Sequence, residues 1–164
     1  MSTISVSRDI AAPPGRVFAM VADLTRMGEW SPENTGGRWV RPATGPAVGA
    51  KFRGTNRRGM RRWSTLAVIT EYDPDRRVAF EVTAVGFKAG RWAYDVEPTG
   101  GGCRVTETWT DRRGPLVRIG GGLVSGVHDR DTYNRAGMEA TLAGLAAAAE
   151  AGAGAGAGQP PDPG

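Results

Sequence analysis

GRWAYDVEPTGGGCRVTETWT (residues 90–110) consists of two alternating runs on either side of a turn. Successive side chains of a strand point to opposite faces of its sheet. One face therefore carries Trp92, Tyr94 and Val96, then Cys103, Val105, Glu107 and Trp109. The other carries Arg91, Ala93 and Asp95, then Arg104, Thr106, Thr108 and Thr110. Pro98–Gly102 is turn chemistry, so the runs predict antiparallel neighbours with one dry face and one wet face. Glu107 is the one charged group on the dry face.

The same signals continue towards the N-terminus. Arg38–Arg41, Ala50–Thr55, Arg62–Tyr72 and Arg77–Val85 read as further strands, separated by Pro42–Gly49, Asn56–Gly59 and Asp73-Pro74-Asp75. Phe80 and Val82 should face inward. In Arg62–Tyr72 two sets compete: Trp63, Thr65, Ala67 and Ile69 against Leu66, Val68 and Tyr72. A bulge would reconcile them. Ile4, Val6, Arg8 and Ile10 alternate as a first strand. Pro13 and Pro14 then mark a helix start, and Val17, Phe18, Val21 and Leu24 give it an apolar stripe. A second short helical piece, Leu24–Trp30, should stop ahead of Pro32.

Beyond the last strand, Asp129–Glu150 predicts a long helix whose inner face is Asn134, Met138, Leu142 and Leu145, at the 3.6-residue period. Leu116–Val127 is apolar but broken by Gly120, Gly121, Gly122 and Gly126. It reads either as a flexible lead-in or as loosened first turns of that helix. Residues 1–150 make one domain. Ala151–Gly164 alternates Ala and Gly before a proline-rich end, and is expected to be a disordered tail because it buries too little to offset its ordering entropy. The order is strand, two short helices, six strands, long helix: an α+β layer architecture.

Composition narrows the chemistry. The chain has 164 residues, 40% of them hydrophobic and 23% charged, as in ordinary globular domains. It lacks about 18 consecutive apolar residues and an N-terminal apolar h-region, so neither a membrane span nor a secretory signal is expected, and the location is read as cytoplasmic. A single cysteine, Cys103, and a single histidine, His128, leave no set for a zinc site, and neither metal nor cofactor is expected. A Cys103–His128 nucleophilic pair is arithmetically available, but Cys103 sits in a strand-like run where a small buried apolar role suffices. The net charge is +4, and all basic residues except Lys51 and Lys88 are arginine. Arg53, Arg57, Arg58, Arg61 and Arg62 cluster with Lys51 around Asn56 and Gly59. Such a hairpin tip can simply be solvated, or can meet phosphate or an acidic protein. Aromatics are not interleaved with these arginines, so no nucleic acid is expected as partner.

With that order established, the chain resembles the START-like (SRPBCC) superfamily, and within it the polyketide cyclase/dehydrase-type helix-grip proteins. Ile10-Ala11-Ala12-Pro13 with Val17-Phe18, Met27-Gly28-Glu29-Trp30-Ser31-Pro32, Val48–Phe52, Trp63, Trp92 with Tyr94, and Gly101–Trp109 carry the likeness, which spans Thr3 to about Glu150. The resemblance implies a seven-stranded antiparallel sheet wrapped around the C-terminal helix, enclosing an apolar cavity. It also implies a small hydrophobic ligand, lipid-like, aromatic or polyketide-like. For reaction it is silent, because the fold hosts carriers, sensors and enzymes.

Five tryptophans are many for a core this size, and large amphipathic rings suit a flat apolar ligand, although they also simply fill cores. The expected lining is Trp30, Asn34, Trp39, Asn56, Trp63, Phe80, Trp92, Tyr94, Glu107, Trp109, Asn134 and Met138. Asn34 and Asn56 either orient a ligand carbonyl or make turns. His128 and Tyr133 fall near the pocket opening, where a surface position is expected. Glu107, desolvated between Val105 and Trp109, should have a raised pKa unless Arg53, Arg57 or Tyr94 pairs with it. It is the best catalytic candidate, a general acid/base for a cyclase or dehydratase. The alternatives are a ligand anchor in a non-catalytic carrier or sensor, and a structural ion pair. An acidic carrier protein is a further conceivable partner of the arginine hairpin.

Overall fold

The computed structural model describes residues 2–119, 126–127 and 129–156. Seven antiparallel strands form one sheet in the order β1-β7-β6-β5-β4-β3-β2. They are β1 (Thr3–Ile10), β2 (Asn34–Val40), β3 (Lys51–Arg58), β4 (Arg61–Asp73), β5 (Arg77–Ala84), β6 (Phe87–Thr99) and β7 (Gly102–Asp111). Between β1 and β2 lie α1 (Pro14–Ala22) and a 3-10 helix, Leu24–Glu29. The last element, α2 (Arg130–Gly156), packs against β1 and β7 and helps line a cavity on the inner face of the sheet.

Alternation decides which face is concave. On β6 and β7 the register pairs Trp92 with Trp109, Tyr94 with Glu107 and Val96 with Val105, and all of these except Trp92 are buried. The outer face carries a hydroxyl ladder instead, with Ser5 on Thr108 at 2.9 Å and Ser7 on Thr106 at 2.8 Å. In β4 the register against β5 shifts between Ile69 and Glu71. Before this bulge Ala67 and Ile69 are buried. After it Tyr72 turns inward onto Phe18, 5.6 Å between ring centroids. The bulge thus brings Tyr72 inward, whereas Leu66 and Val68, which precede it, stay half-buried on the outer face opposite Arg53 and Lys51, so it reconciles the competing sets only in part.

α1 begins with Pro13 and Pro14, where a missing N–H costs nothing, and buries Val17, Phe18 and Val21. α2 presents Met138, Leu142 and Leu145 to the core, each 2% exposed or less, at the spacing of one helical stripe. Gly144 lets this helix approach Trp30 closely: a β-carbon there would sit 3.0 Å from that of Trp30. Gly102 holds a backbone φ of +151°, and a side chain there would collide with the Ile10 carbonyl oxygen of the neighbouring strand.

Two differences from the sequence reading concern the C-terminal part. The helix does not stop at Glu150 but continues to Gly156, so the first residues of the expected tail are helical. Alanine favours helix strongly enough to carry the intervening glycines for one more turn and a half. Residues 157–164, the rest of that expected tail, lie outside the described residues. Within Leu116–Val127, residues 115–119 are helical and separate from α2, and 120–125 lie outside the described residues. His128, and with it any pairing to Cys103, also lies outside them. Cys103 itself is fully buried, and burial pushes its thiol pKa up, away from the thiolate a nucleophile needs.

Candidate functional site

Between the sheet and α2 lies a cavity of about 180 Å³. Its space comes from small residues on the inner face of β3, β4 and β5, namely Gly54, Ala67 and Ala84, opposite large ones on β6. Phe80 and Tyr94 stack there at 6.4 Å between centroids, with Trp92 beside them, and Trp63 walls the other side. Met138 and Asn134 close it from α2.

Glu107 is the chemical centre of this wall. Its cross-strand partner is Tyr94, whose hydroxyl donates to Glu107 Oε1 at 2.8 Å. The residue is 3% exposed, and Oε2 has no hydrogen-bond partner among the described residues. Burial raises the pKa of this carboxyl to about 8, the Tyr94 hydrogen bond pulling only partly the other way. The same burial, with the neighbouring carboxylate, drives the Tyr94 phenol well above its usual value. At neutral pH Glu107 is thus a neutral acid with Oε1 occupied by Tyr94 and Oε2 left to bond a guest. Asn134 supplies another buried polar atom without a partner among the described residues, its Nδ2. Leaving such a group unpaired costs roughly 1–3 kcal/mol, so both favour a polar ligand atom.

Of the expected partners of Glu107, Tyr94 is the one found. Arg53 and Arg57 are exposed, at odd positions of a strand whose inward residues are Phe52, Gly54 and Asn56. Asn34, Asn56, Trp63, Phe80, Trp92, Tyr94, Glu107, Asn134 and Met138 line the cavity. Asn34 also makes the turn, its Oδ1 accepting from Gly36 N–H at 2.7 Å, and Asn56 donates to Thr65 Oγ1 at 3.2 Å.

Three expected lining residues do not reach the cavity. Trp30 is buried beneath α2 at Gly144, with the Arg26 guanidinium 5.2 Å from its ring. Trp39 packs edge-on against Phe52, at 5.3 Å, and fills core. Trp109 faces inward but is covered by Trp92, at 6.1 Å, and packs with Ile4 and Met138. Conversely, Tyr133 is not merely at the surface. It lines the cavity end, flanked by the guanidinium carbons of Arg58 at 5.2 Å and Arg130 at 5.5 Å. Met27 and Phe52 also line it. Phe52 was readable from the Phe52-Gly54-Asn56 alternation, whereas Met27 is brought in by the 3-10 helix, which has no periodic signature.

Among the described residues no three His, Cys, Asp or Glu side chains converge as metal ligands. The family model described as polyketide cyclase/dehydrase and lipid transport matches residues 1–150. The chain belongs to that family. A solved relative, the Polyketide_cyc-like protein Cgl2372 from Corynebacterium glutamicum, is 32% identical, with 88% of each chain covered and a TM-score of 0.61. Two more distant structures share the fold of the polyketide cyclase/dehydrase family member described here. Protein CV1439 from Chromobacterium violaceum has 17% identity and a TM-score of 0.68, covering 92% of this chain and 99% of its own. The di-domain ARO/CYC StfQ from the steffimycin biosynthetic pathway has 14% identity and a TM-score of 0.71, covering 93% of this chain and 51% of its own. No curated protein matches the sequence.

Proposed function

We propose that this polyketide cyclase/dehydrase family protein binds a small apolar molecule carrying a ketone or hydroxyl group, of aromatic or polyketide-like shape, inside the sheet–helix cavity. The observation that carries this reading is that Glu107 Oε2 and Asn134 Nδ2, both in the cavity wall, are buried with no hydrogen-bond partner among the described residues, in a lining that joins aromatic and aliphatic side chains to a few polar ones such as Asn34, Asn56 and Thr65. A neutral Glu107 donates to a carbonyl oxygen, and Asn134 adds a second donor. The rings of Trp63, Phe80 and Trp92 supply the flat contact surface. Titration with a hydroxynaphthoquinone, followed by quenching of tryptophan fluorescence, tests it. Saturable quenching is expected, lost in Ala84→Trp, which fills the cavity. A wild-type protein that neither quenches nor carries an apolar molecule in native mass spectrometry would overturn the proposal.

A second reading, proton-transfer catalysis, is favoured by the raised pKa of Glu107 and by the likeness to an ARO/CYC structure. An acid titrating near neutrality, within reach of a ligand carbonyl, suits enolisation of a β-ketone. In that case Glu107→Gln keeps affinity but lowers turnover by about 10²–10⁴-fold. In a carrier the same change shifts affinity alone.

A further inference from the structure

One end of the sheet is built from three chain segments. They are the β3–β4 hairpin around Met60, the β5–β6 hairpin around Val85 and Phe87, and the stretch that follows Asp111. Register places them together: Arg58 pairs with Arg61, Ala84 with Phe87 and Gly90 with Asp111. At the same end the Gly126 carbonyl accepts from Arg58 at 2.8 Å. Tyr133, Ala84 and Ala89 of the cavity wall lie at the same end.

Two properties of this end stand out. Its tips carry the large exposed apolar side chains Met60, Val85, Phe87, Leu116 and Ile119, each at least 60% exposed. Leu116 and Ile119 are three residues apart in the helical stretch 115–119, so they share one face. Its charge is net basic: of the acidic residues at this end, Glu33 is paired with Arg130 and Asp111 is buried against Arg113 and Arg118, while Asp129 and Asp131 are exposed. Residues 51–70, 82–94 and 112–127 contain no aspartate or glutamate, yet include Arg57, Arg62, Lys88 and Arg112, all exposed. Arg57 and Arg62 stand directly opposite each other across the hairpin. Facing like charges weaken a hairpin, so the pair suits an external anion better than the fold alone. Acidic turn residues, Asp73 and Asp75, sit at the opposite end of the sheet.

We propose that this end docks onto an anionic lipid surface, with Met60, Val85, Phe87, Leu116 and Ile119 entering the interfacial region and Arg57, Arg62, Lys88 and Arg112 meeting lipid phosphates. A bilayer is favoured over an acidic protein by shape. The apolar groups stand on separate protruding tips, which suits insertion among headgroups, whereas a protein partner is matched by one contiguous patch. Charge complementarity supplies the remaining attraction, at roughly fivefold in affinity for each basic residue near the surface. Docking there turns the Tyr133 end of the cavity towards the bilayer.

Vesicle co-sedimentation of the full chain tests the proposal. Phosphatidylcholine vesicles containing phosphatidylglycerol should pellet the protein, and pure phosphatidylcholine vesicles should not. Binding should weaken as salt shortens the screening length. Arg57→Ala with Arg62→Ala should reduce binding roughly 25-fold, by the same per-residue factor. Met60→Ser with Phe87→Ser should weaken it even at low salt. Arg8→Ala with Arg76→Ala, exposed arginines away from this end, should bind as wild type and so separate a docking face from general basicity. All four hairpin substitutions are at exposed positions, and near-ultraviolet circular dichroism confirms that the variants fold. The proposal is overturned if anionic vesicles fail to pellet the protein at low salt. It is also overturned if the control pair loses as much binding as the hairpin pair, or if the apolar pair binds as wild type. Binding to an acidic protein in the absence of vesicle binding would assign the face to a protein instead.

Discussion

Glu107 shows how one side chain can report on its surroundings through pH. Its carboxyl titrates near 4.5 when unfolded and at about 8 when folded. Between these values the native state holds a proton that the unfolded state has released. Stability from this group is therefore fully present below about 4.5 and is lost as pH rises through about 8, at up to roughly 1.4 kcal/mol per pH unit. Glu107→Gln, which keeps the shape and cannot ionise, should remove that slope. Denaturant melts of the two proteins at pH 5 and pH 9 check this: their difference in stability should shift towards the glutamine variant at the higher pH. Equal pH profiles would mean that the carboxyl is hydrated. Both this residue and its partner were legible in the sequence, because a period of two puts Tyr94 and Glu107 on one face and a short turn sets them opposite. Counting tryptophans was a poorer guide. Composition does not distinguish a ring that lines a cavity, such as Trp92, from one that backs the lining, such as Trp109.

At the scale of elements, α2 and β7 carry the clearest consequences. Leu142 is 1% exposed and plugs the concave face, so Leu142→Ala should cost about 2–5 kcal/mol in denaturant unfolding. A loss below about 0.5 kcal/mol would mean that the site is a surface. Gly152 behaves differently. A β-carbon there meets only the flexible guanidinium end of Arg16, which can swing aside. Gly152→Ala should therefore raise stability by about 0.5–1 kcal/mol through helix propensity, measured in the same way. The end of β7 contributes a feature the sequence did not reveal. Asp111 is 3% exposed and accepts from Arg113 Nε at 2.9 Å and Arg118 Nη2 at 2.9 Å, pinning the segment that follows it. Burial alone would raise its pKa, but these arginines hold it below the usual range. The pinning should thus persist above the ordinary aspartate range and fade only in stronger acid. Asp111→Asn should expose 112–118 to trypsin at neutral pH, with cleavage at Arg112, Arg113 or Arg118 visible by mass spectrometry. Alternation and turn residues made the strands readable. A partnership between a strand end and arginines two and seven residues later has no periodicity to betray it.

For the molecule as a whole, the helix-grip arrangement follows from strands that alternate and a helix with one apolar stripe, and this was readable before any coordinates. The cavity's size and the phase of β4 were not, since each depends on where a bulge falls and on small residues facing large ones. One topological fact reaches beyond binding. The first strand lies beside the last, Thr3 against Thr110, so the sheet cannot be completed until about two-thirds of the 164 residues are available. During synthesis the chain must leave β1 without its neighbour until Asp111 has emerged from the ribosome, while the β2–β6 meander can already pair locally. Loop closure over such a separation is slow, and folding in milliseconds to seconds is expected rather than microseconds. A permuted chain that starts at β2 and carries β1 behind β7 through a short linker would make that pairing local. Its refolding should accelerate in stopped-flow experiments, because in the natural connectivity the N-terminal strand is the one that waits longest for its place.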